Sequence, residues 1–445
     1  MSVVDASSRL LSVEEALAAV LAATPDPLPA EDVRPETALG RWLAAPVVAT
    51  TDLPPWDNGA MDGYAVRAAD TSGATEDRPV VLRVVGEVRA GEIAQTAVEP
   101  GTAMRIATGA PLPAGADAIV PVEQTTPLDA SGEPAGPRGR DATGPLPSAC
   151  AVHVVVAVGG SVRHRADDLR AGTVVLAVGV RLGPGAVALA AGAGAGAVAV
   201  HRRPRVAVLA TGDEVREPGS QLGAAGIPDA NGPGLRALVA SAGATPVALG
   251  VAGDDLDDVV GRLEAAIGDV DAVIVSGGVS VGPYDVVRAA FGRLGRVDLW
   301  RVAVQPGKPF AFGMAERADG RRVPLFGLPG NPVSTAVTFE IFVRPVLRRL
   351  AGEPVPRRDA DHAILRDRVS TSPGRRAFLR VVAERTSDGA AVRDAAGRVQ
   401  VRLAGGQGSH VLSALGAADA LAIVPEEVEV AEAGSEVALW WLDRG

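Results

Sequence analysis

The sequence predicts a multidomain α/β protein, in which a central parallel α/β domain stands between β-rich N-terminal regions and a small C-terminal domain of β-barrel-like type. Three observations carry this. The chain has 445 residues, and at roughly 100 to 200 residues per domain it holds two to four domains with ample core. Over residues 205–352 apolar strand-like runs alternate with amphipathic helical runs, the pattern of a parallel sheet. On both sides of that stretch the apolar runs are short and broken by Gly, Pro and Asp, which reads as β structure.

Residues 1–46 form the helical and linker part of the N-terminal region. Ser12 followed by Glu15 makes a capping box for the amphipathic helix Val13–Ala23. Residues 47–150 form a β-rich, lid-like subdomain with strands such as PVVLRVVGEV. Within it, residues 126–148, TPLDASGEPAGPRGRDATGPLPS, have almost nothing to bury and read as a mobile loop or insertion. Residues 151–204 return to the N-terminal region. Their uncharged stretch 182–200 has the length of a membrane span, but Pro184 and five glycines make it a short helix, a tight turn and a strand.

The α/β domain, residues 205–352, runs RVAVLATGDE, GPGLRALVASAGA, PVALGVAGDD, LDDVVGRLEAAIG, DAVIVSGG and YDVVRAAFGRL in alternation. LWRVAV, FAFGMA and PLFGLPG add strands, and NPVSTAVTFEIFVRPVLRRLAG closes the domain as a long helix. Residues 353–445 return to short β segments, GRRAFLRVVAE, VQVRL, ALAIVP and SEVALWWL, and form the all-β C-terminal domain.

Composition narrows the function. A net charge of −10 with a sequence pI near 5.2 argues against nucleic acid or an anionic membrane as the main partner. One cysteine, Cys150, excludes an internal disulfide, and five scattered histidines leave no zinc-type cluster, so any metal is held by oxygen. The N-terminus shows no basic stretch before an apolar run, and a cytoplasmic location is expected. Aromatics are only 3%, so the core must rest on Ala, Val and Leu.

The rare residues gather in Gly/Pro-rich loops. The only lysine is Lys308, in VQPGKPFAFG; the only asparagines are Asn58, Asn231 and Asn331; the only tyrosines are Tyr64 and Tyr284. Asn suits left-handed turns, which accounts for part of the pattern. A unique lysine among arginines points to a compact ammonium acting on an anion.

Ligands of an open parallel sheet sit beyond the carboxyl ends of its strands. There lie Thr211, Gly212, Asp213 and Glu214, then Asp254 and Asp255, then Ser276, Gly277 and Gly278, with Asp285 following. The SGG turn before a helix presents free N–H groups to a phosphate. Carboxylates beside a phosphate call for a cation, and hard oxygen ligands suit Mg²⁺. Glu214 and Asp285 equally read as helix caps or a solvated edge, and Asp254 and Asp255 read first as caps. LPGNPVS is a tight loop feeding a helix, with Pro332 in the first turn and Asn331 as cap. PPWDNGAMDGYAVR reads as an interface or lid, and RIATGAPLPAGADAIV places Thr108 and Gly109 in a turn.

Taken in order, PPWDNGAMDGYAVR, RIATGAPLPAGADAIVP, LATGDEV, VSGGVSVGPYD, PGKPFAFG and GLPGNPVS resemble the molybdopterin molybdenumtransferase family, which includes the E domain of gephyrin. The resemblance runs from about residue 12 to 442, leaving out residues 126–148. It implies a homodimer with a central domain like that of molybdopterin adenylyltransferases, and one of those enzymes as a partner. It also implies insertion of molybdenum from molybdate into adenylylated molybdopterin, with Mg²⁺ and release of AMP. By position, Glu214, Asp254, Asp285 and Lys308 match residues around the nucleotide, metal and molybdate, with Glu214, Asp254 and Asp285 on the metal. Thr211, Gly212, Ser276, Gly277, Gly278, Pro306 and Gly307 line the implied substrate site. Asp62 and Thr108 match residues that reach the cleft from the other subunit, and Asp168 matches the Asp of the family's RxGED segment.

Two departures stand out. Gln305 replaces a lysine of some relatives, so Arg301, Arg163 or Arg165 would have to supply positive charge. Ala166 replaces the Gly before the acidic pair at 167 and 168. Two alternatives remain: a gephyrin-like dimeric scaffold that binds a protein partner with little catalysis, and an adenylyltransferase acting one step earlier, against which the extra terminal regions argue.

Overall fold

A computed structural model of the chain describes residues 10–139, 144–278, 286–356 and 358–442. Asp285 and Tyr284 lie outside the described residues, as do positions 140–143 of the Pro/Gly-rich stretch. The chain divides into two compact units, one of Met1–Glu31, Gly40–Ala44 and Ala199–Gly445, the other of Asp32–Leu39 and Ala45–Val198.

The first unit is built on a seven-stranded sheet in the order Leu10–Leu11, Gly295–Val302, Pro309–Glu316, Arg322–Leu328, Ala272–Ser276, Arg205–Thr211, Thr245–Ala252. The last four pair in parallel, as the strand–helix alternation predicts. Pro309–Glu316 pairs antiparallel with both of its neighbours. The segments joining these strands are too short for a helical crossover, so the parallel core is extended by a meander.

Alternation along the strands feeds two cores. Val206 and Val208 point to one, which takes the helices Val13–Ala23 and Asn231–Ser241 and the helical stretch 332–350. Ala207 and Leu209 point to the other, covered by Leu256–Ile267 and Val286–Leu294. The scarce aromatics are concentrated in the first core, where Phe310 stacks on Phe342 at 4.5 Å and Trp300 on Phe312 at 5.7 Å.

The first helix starts as its sequence dictates. Ser12 Oγ accepts the Glu15 N–H at 3.0 Å, and the Glu15 carboxylate accepts the Ser12 N–H at 2.9 Å. The closing helix is continuous but widens into a π-type turn at Phe339–Val343. There the buried Glu340 takes both arms of Arg344, at 2.7 and 2.8 Å, and also Arg358. Ahead of the sheet, Arg202 grips the buried Asp271 with two bonds of 2.9 and 2.7 Å, and the Arg205 N–H adds a third at 2.8 Å.

The C-terminal strands close into a barrel in the order Arg376–Ala383, Val399–Leu403, Asp361–Leu365, Glu436–Trp441, Ala420–Val424, the last pairing back on the first. Val304–Gln305 adds in parallel beside Arg376–Ala383.

The second unit carries a six-stranded sheet, Ala118–Pro121, Gly63–Val66, Thr102–Ile106, Val80–Val88, Ala149–Val152, Thr125–Leu128. Two readings change here. The second half of PPWDNGAMDGYAVR is a buried strand, while Trp56 and Met61 before it stay exposed. Residues 126–128 are not loop, because Thr125–Leu128 pairs along Ala149–Val152 and buries Leu128. Stretch 182–200 gives the helix Pro184–Gly192 and the start of the strand Val198–His201. Among the described residues no helix is long and apolar enough to cross a membrane.

Replacing Asp271 by Ala takes a buried carboxylate from the half-buried Arg202 and from the Arg205 N–H, and a loss of about 2–3 kcal/mol in urea unfolding is expected. A loss below about 1 kcal/mol would show the pair to be dispensable.

Candidate functional site

At the carboxyl ends of the parallel strands lies a cleft of about 710 Å³. Thr211, Gly212, Glu214, Asp254, Ser276, Gly277, Gly278 and Gly307, all anticipated from sequence, line it together. The loops that bring them there are stitched to neighbouring strands. Gly212 N–H donates to Ala252 O at 3.1 Å and Gly277 N–H to Leu328 O at 3.1 Å, while Thr211 Oγ1 donates to Ser276 O at 3.3 Å.

Two glycines are obligatory. Gly277 has φ +99°, and a Cβ there would stand 2.4 Å from Thr211 O; Gly307 has φ +114°, and its Cβ would meet Thr338 Cγ2 at 2.6 Å. Beside Gly277, the Ser276 hydroxyl is buried and has no hydrogen-bond partner among the described residues. A buried polar atom of this kind calls for a ligand or a water.

The acidic side of the cleft is crowded. Asp213 Oδ1 accepts the Asp254 N–H at 3.0 Å. Desolvation pushes the Asp254 carboxyl above its ordinary value, and the Asp213 and Glu214 charges push it further. Asp255 is the cap, accepting the Asp258 N–H at 2.8 Å, so Asp254 is left for the cleft. These oxygens fit a hard divalent cation. Among the described residues no three carboxylates group tightly enough to hold an ion alone, so a Mg²⁺ here would draw further ligands from phosphate oxygens and water.

The basic side is separate. Pro306 is buried, and Gly307 and Pro309 line the cleft, but Lys308 between them stands beside its lining. Desolvation lowers the Lys308 pKa, as do the Arg301 and Arg375 charges next to it. Among the described residues no carboxylate pairs with Lys308, and three cations close together are chemistry that suits an anion. Gln305 does not join them, since its side-chain oxygen accepts the Ser372 N–H at 2.7 Å.

Sequence reasoning missed part of this wall. Asp229 lines the cleft and accepts the Gly232 N–H at 2.8 Å. Asn331 stands at the helix start as expected, but its side chain makes no cap; its amide donates to Ser409 Oγ at 3.1 Å. Asn231 donates to Gly330 O at 2.7 Å. His410 and Leu412, from the barrel domain, complete the lining. The concentration of Asn in these loops was the available signal, and nothing in the sequence pointed to His410.

In the second unit Asp62 and Thr108 meet directly. Asp62 Oδ1 accepts the Thr108 N–H at 2.7 Å and its hydroxyl at 2.8 Å, and both residues are exposed. Asp168 is exposed and its N–H donates to Leu53 O at 2.9 Å. Ala166 holds φ +63°, a left-handed conformation that favours Gly. Arg165 is engaged with Asp52 at 2.5 Å, and Arg163 reaches Ala60 O at 3.5 Å.

Three family models match in chain order: the MoeA N-terminal region (domain I and II) over residues 11–194, a probable molybdopterin binding domain over 207–349, and the MoeA C-terminal region (domain IV) over 362–442. The Mycobacterium tuberculosis (strain H37Rv) protein named Molybdopterin molybdenumtransferase 2 is 39% identical across 91% of this chain and 93% of its own length. The chain belongs to the molybdopterin molybdenumtransferase family. The Haemophilus influenzae molybdopterin molybdenumtransferase is 32% identical across 97% of this chain and 98% of its own. The crystal structure of the molybdopterin biosynthesis MoeA protein from Pyrococcus horikoshii matches with a TM-score of 0.77 at 31% identity, over 97% of this chain and 99% of that one. The chain is thus a transferase, with a role in molybdenum cofactor biosynthesis.

Two outcomes are expected. A carboxyl raised in the folded state binds more protons folded than unfolded, so Asp254 subtracts stability above its raised pKa, a cost that fades as pH falls through that pKa and is gone below the ordinary value of 3.8. Asp254→Asn should therefore raise the melting temperature at neutral pH and shrink the further rise caused by Mg²⁺; an unchanged Mg²⁺ response would remove Asp254 from the cation site. Ala166→Gly should stabilise the protein by about 0.5–1 kcal/mol in denaturant titration, by relieving the left-handed alanine, and a loss of stability would contradict that.

Proposed function

We propose that this transferase inserts molybdenum from molybdate into adenylylated molybdopterin, with Mg²⁺-dependent hydrolysis of the adenylyl anhydride and release of AMP. The observation that carries this is the meeting, in one cleft, of a glycine turn whose buried hydroxyl has no partner among the described residues with a crowd of carboxylates. The first suits a phosphate, and the second suits a cation bound to it.

Ser276 and the backbone of Gly277 and Gly278 would bind the phosphate oxygens. Glu214 and Asp254 would hold Mg²⁺, together with Asp285, which the family resemblance adds. When bound, Mg²⁺ draws charge from the anhydride oxygens and so favours their departure. Water supplies the attacking oxygen, the bond between the two phosphates breaks, and AMP leaves; no protein nucleophile is needed. Lys308, with Arg301 and Arg375, would hold molybdate, whose two negative charges match a cluster of three cations.

Asp62 and Thr108, bonded to each other, would serve as a preformed edge offered to the cleft of a second copy in a homodimer. An adenylyltransferase is the partner that would hand over the adenylylated substrate. Asp168, exposed in the same unit, would serve as a further contact.

The test is AMP release by the purified protein from adenylylated molybdopterin with Mg²⁺, with and without molybdate. Molybdate-dependent release is expected. No release from a protein that captures a stoichiometric protein partner would favour a scaffold instead. Lys308→Ala should fold normally and lower the molybdate-dependent rate by about 100-fold, on the scale of one lost electrostatic contact to a reacting anion. An unchanged rate would exclude Lys308 from molybdate handling.

A further inference from the structure

Arg380 lies in the barrel strand Arg376–Ala383 and is only 1% exposed. Among the described residues it has no carboxylate partner, and burial alone pulls its pKa down to about 10. A buried guanidinium without a counter-charge is costly, and an apolar side chain would fill the space more cheaply. What the guanidinium reaches is backbone: Phe378 O at 3.2 Å, Gly406 O at 3.3 Å and Gly408 O at 3.2 Å.

Between those two glycines, Gln407 bonds back to the same residue. Its side-chain oxygen accepts the Arg380 N–H at 2.9 Å, and its amide donates to Arg380 O at 3.1 Å. Arg380 is thus gripped from both sides by one loop, residues 404–411. The far end of that loop reaches the cleft. Ser409 accepts from Asn331 at 3.1 Å and, through its carbonyl, from the Val333 N–H at 3.3 Å; His410 next to it lines the cleft.

We propose that Arg380 is a positioning residue of the cleft: it fixes loop 404–411 and thereby aims the His410 imidazole at an anionic oxygen of the bound nucleotide. The ligand in this inference rests on the nucleotide reading above, whereas the clamp stands on its own geometry.

The test is calorimetric titration of AMP, with Mg²⁺, into wild type, His410→Ala, Arg380→Met and the double variant. His410→Ala should keep its melting temperature and bind AMP about tenfold more weakly, the size of one lost charge-assisted hydrogen bond. Arg380→Met should lose a similar factor, and the double variant no more than either alone, because both act through one contact. Additive losses, or unchanged affinity in either single variant, would overturn the proposal. If Arg380→Met unfolds the barrel, Gln407→Ala, which frees the loop from its other side, replaces it in the cycle. If wild type binds no AMP, the nucleotide reading fails, and hydrogen exchange decides the clamp. Faster exchange confined to residues 404–411 in Arg380→Met upholds it, and unchanged exchange overturns it.

Discussion

At the carboxyl end of the central sheet, the backbone of Gly277 approaches the carbonyl of Thr211 so closely that no side chain fits between them. The rest of the cleft depends on that approach. It lets the first and third strand-to-helix loops pack directly, and it leaves the Ser276 hydroxyl buried at their junction without a partner among the described residues. A bulky residue at Gly277 would part the loops and open the junction to water. The same economy recurs at Gly307, where the chain bearing Lys308 passes against Thr338 of the closing helix.

Charge is laid out across the cleft rather than neutralised within it. Asp213, Glu214 and Asp254 repel one another on one side, and Lys308, Arg301 and Arg375 do so on the other. Away from the cleft several buried carboxylates are paired, as Asp271 is with Arg202 and Glu340 with its two arginines. Like charges set close together are costly in a folded chain, and their gathering at the strand ends suits the proposed site for a cation and an anion. The barrel domain serves that site as a wall, its Ser409–His410 corner tied to the start of the closing helix through Asn331.

Much of this was legible in the sequence, for physical reasons. Strand–helix alternation predicted the parallel core, because crossovers need helices; the capping box predicted the first helix because both of its bonds are local. Glycine, serine and carboxylates at strand ends predicted the cleft because that is where an open sheet exposes backbone donors. What escaped depends on long-range contact. His410 comes from another domain, Arg380 looks like any strand arginine until its burial is seen, and Asn331 bonds to Ser409 far along the chain instead of capping. The strand Thr125–Leu128 was hidden because its partner lies beyond a stretch with nothing to bury. Asp285 falls outside the described residues, so its proposed place at the metal rests on the sequence alone.

The central claim is that one cleft binds a phosphate and a divalent cation as a coupled pair. Isothermal titration of AMP into the wild-type protein at several fixed Mg²⁺ concentrations tests it most directly. Coupling requires that Mg²⁺ tighten AMP binding by at least about fivefold, and that AMP tighten Mg²⁺ binding by the same factor. An AMP affinity that does not change with Mg²⁺ would contradict the account.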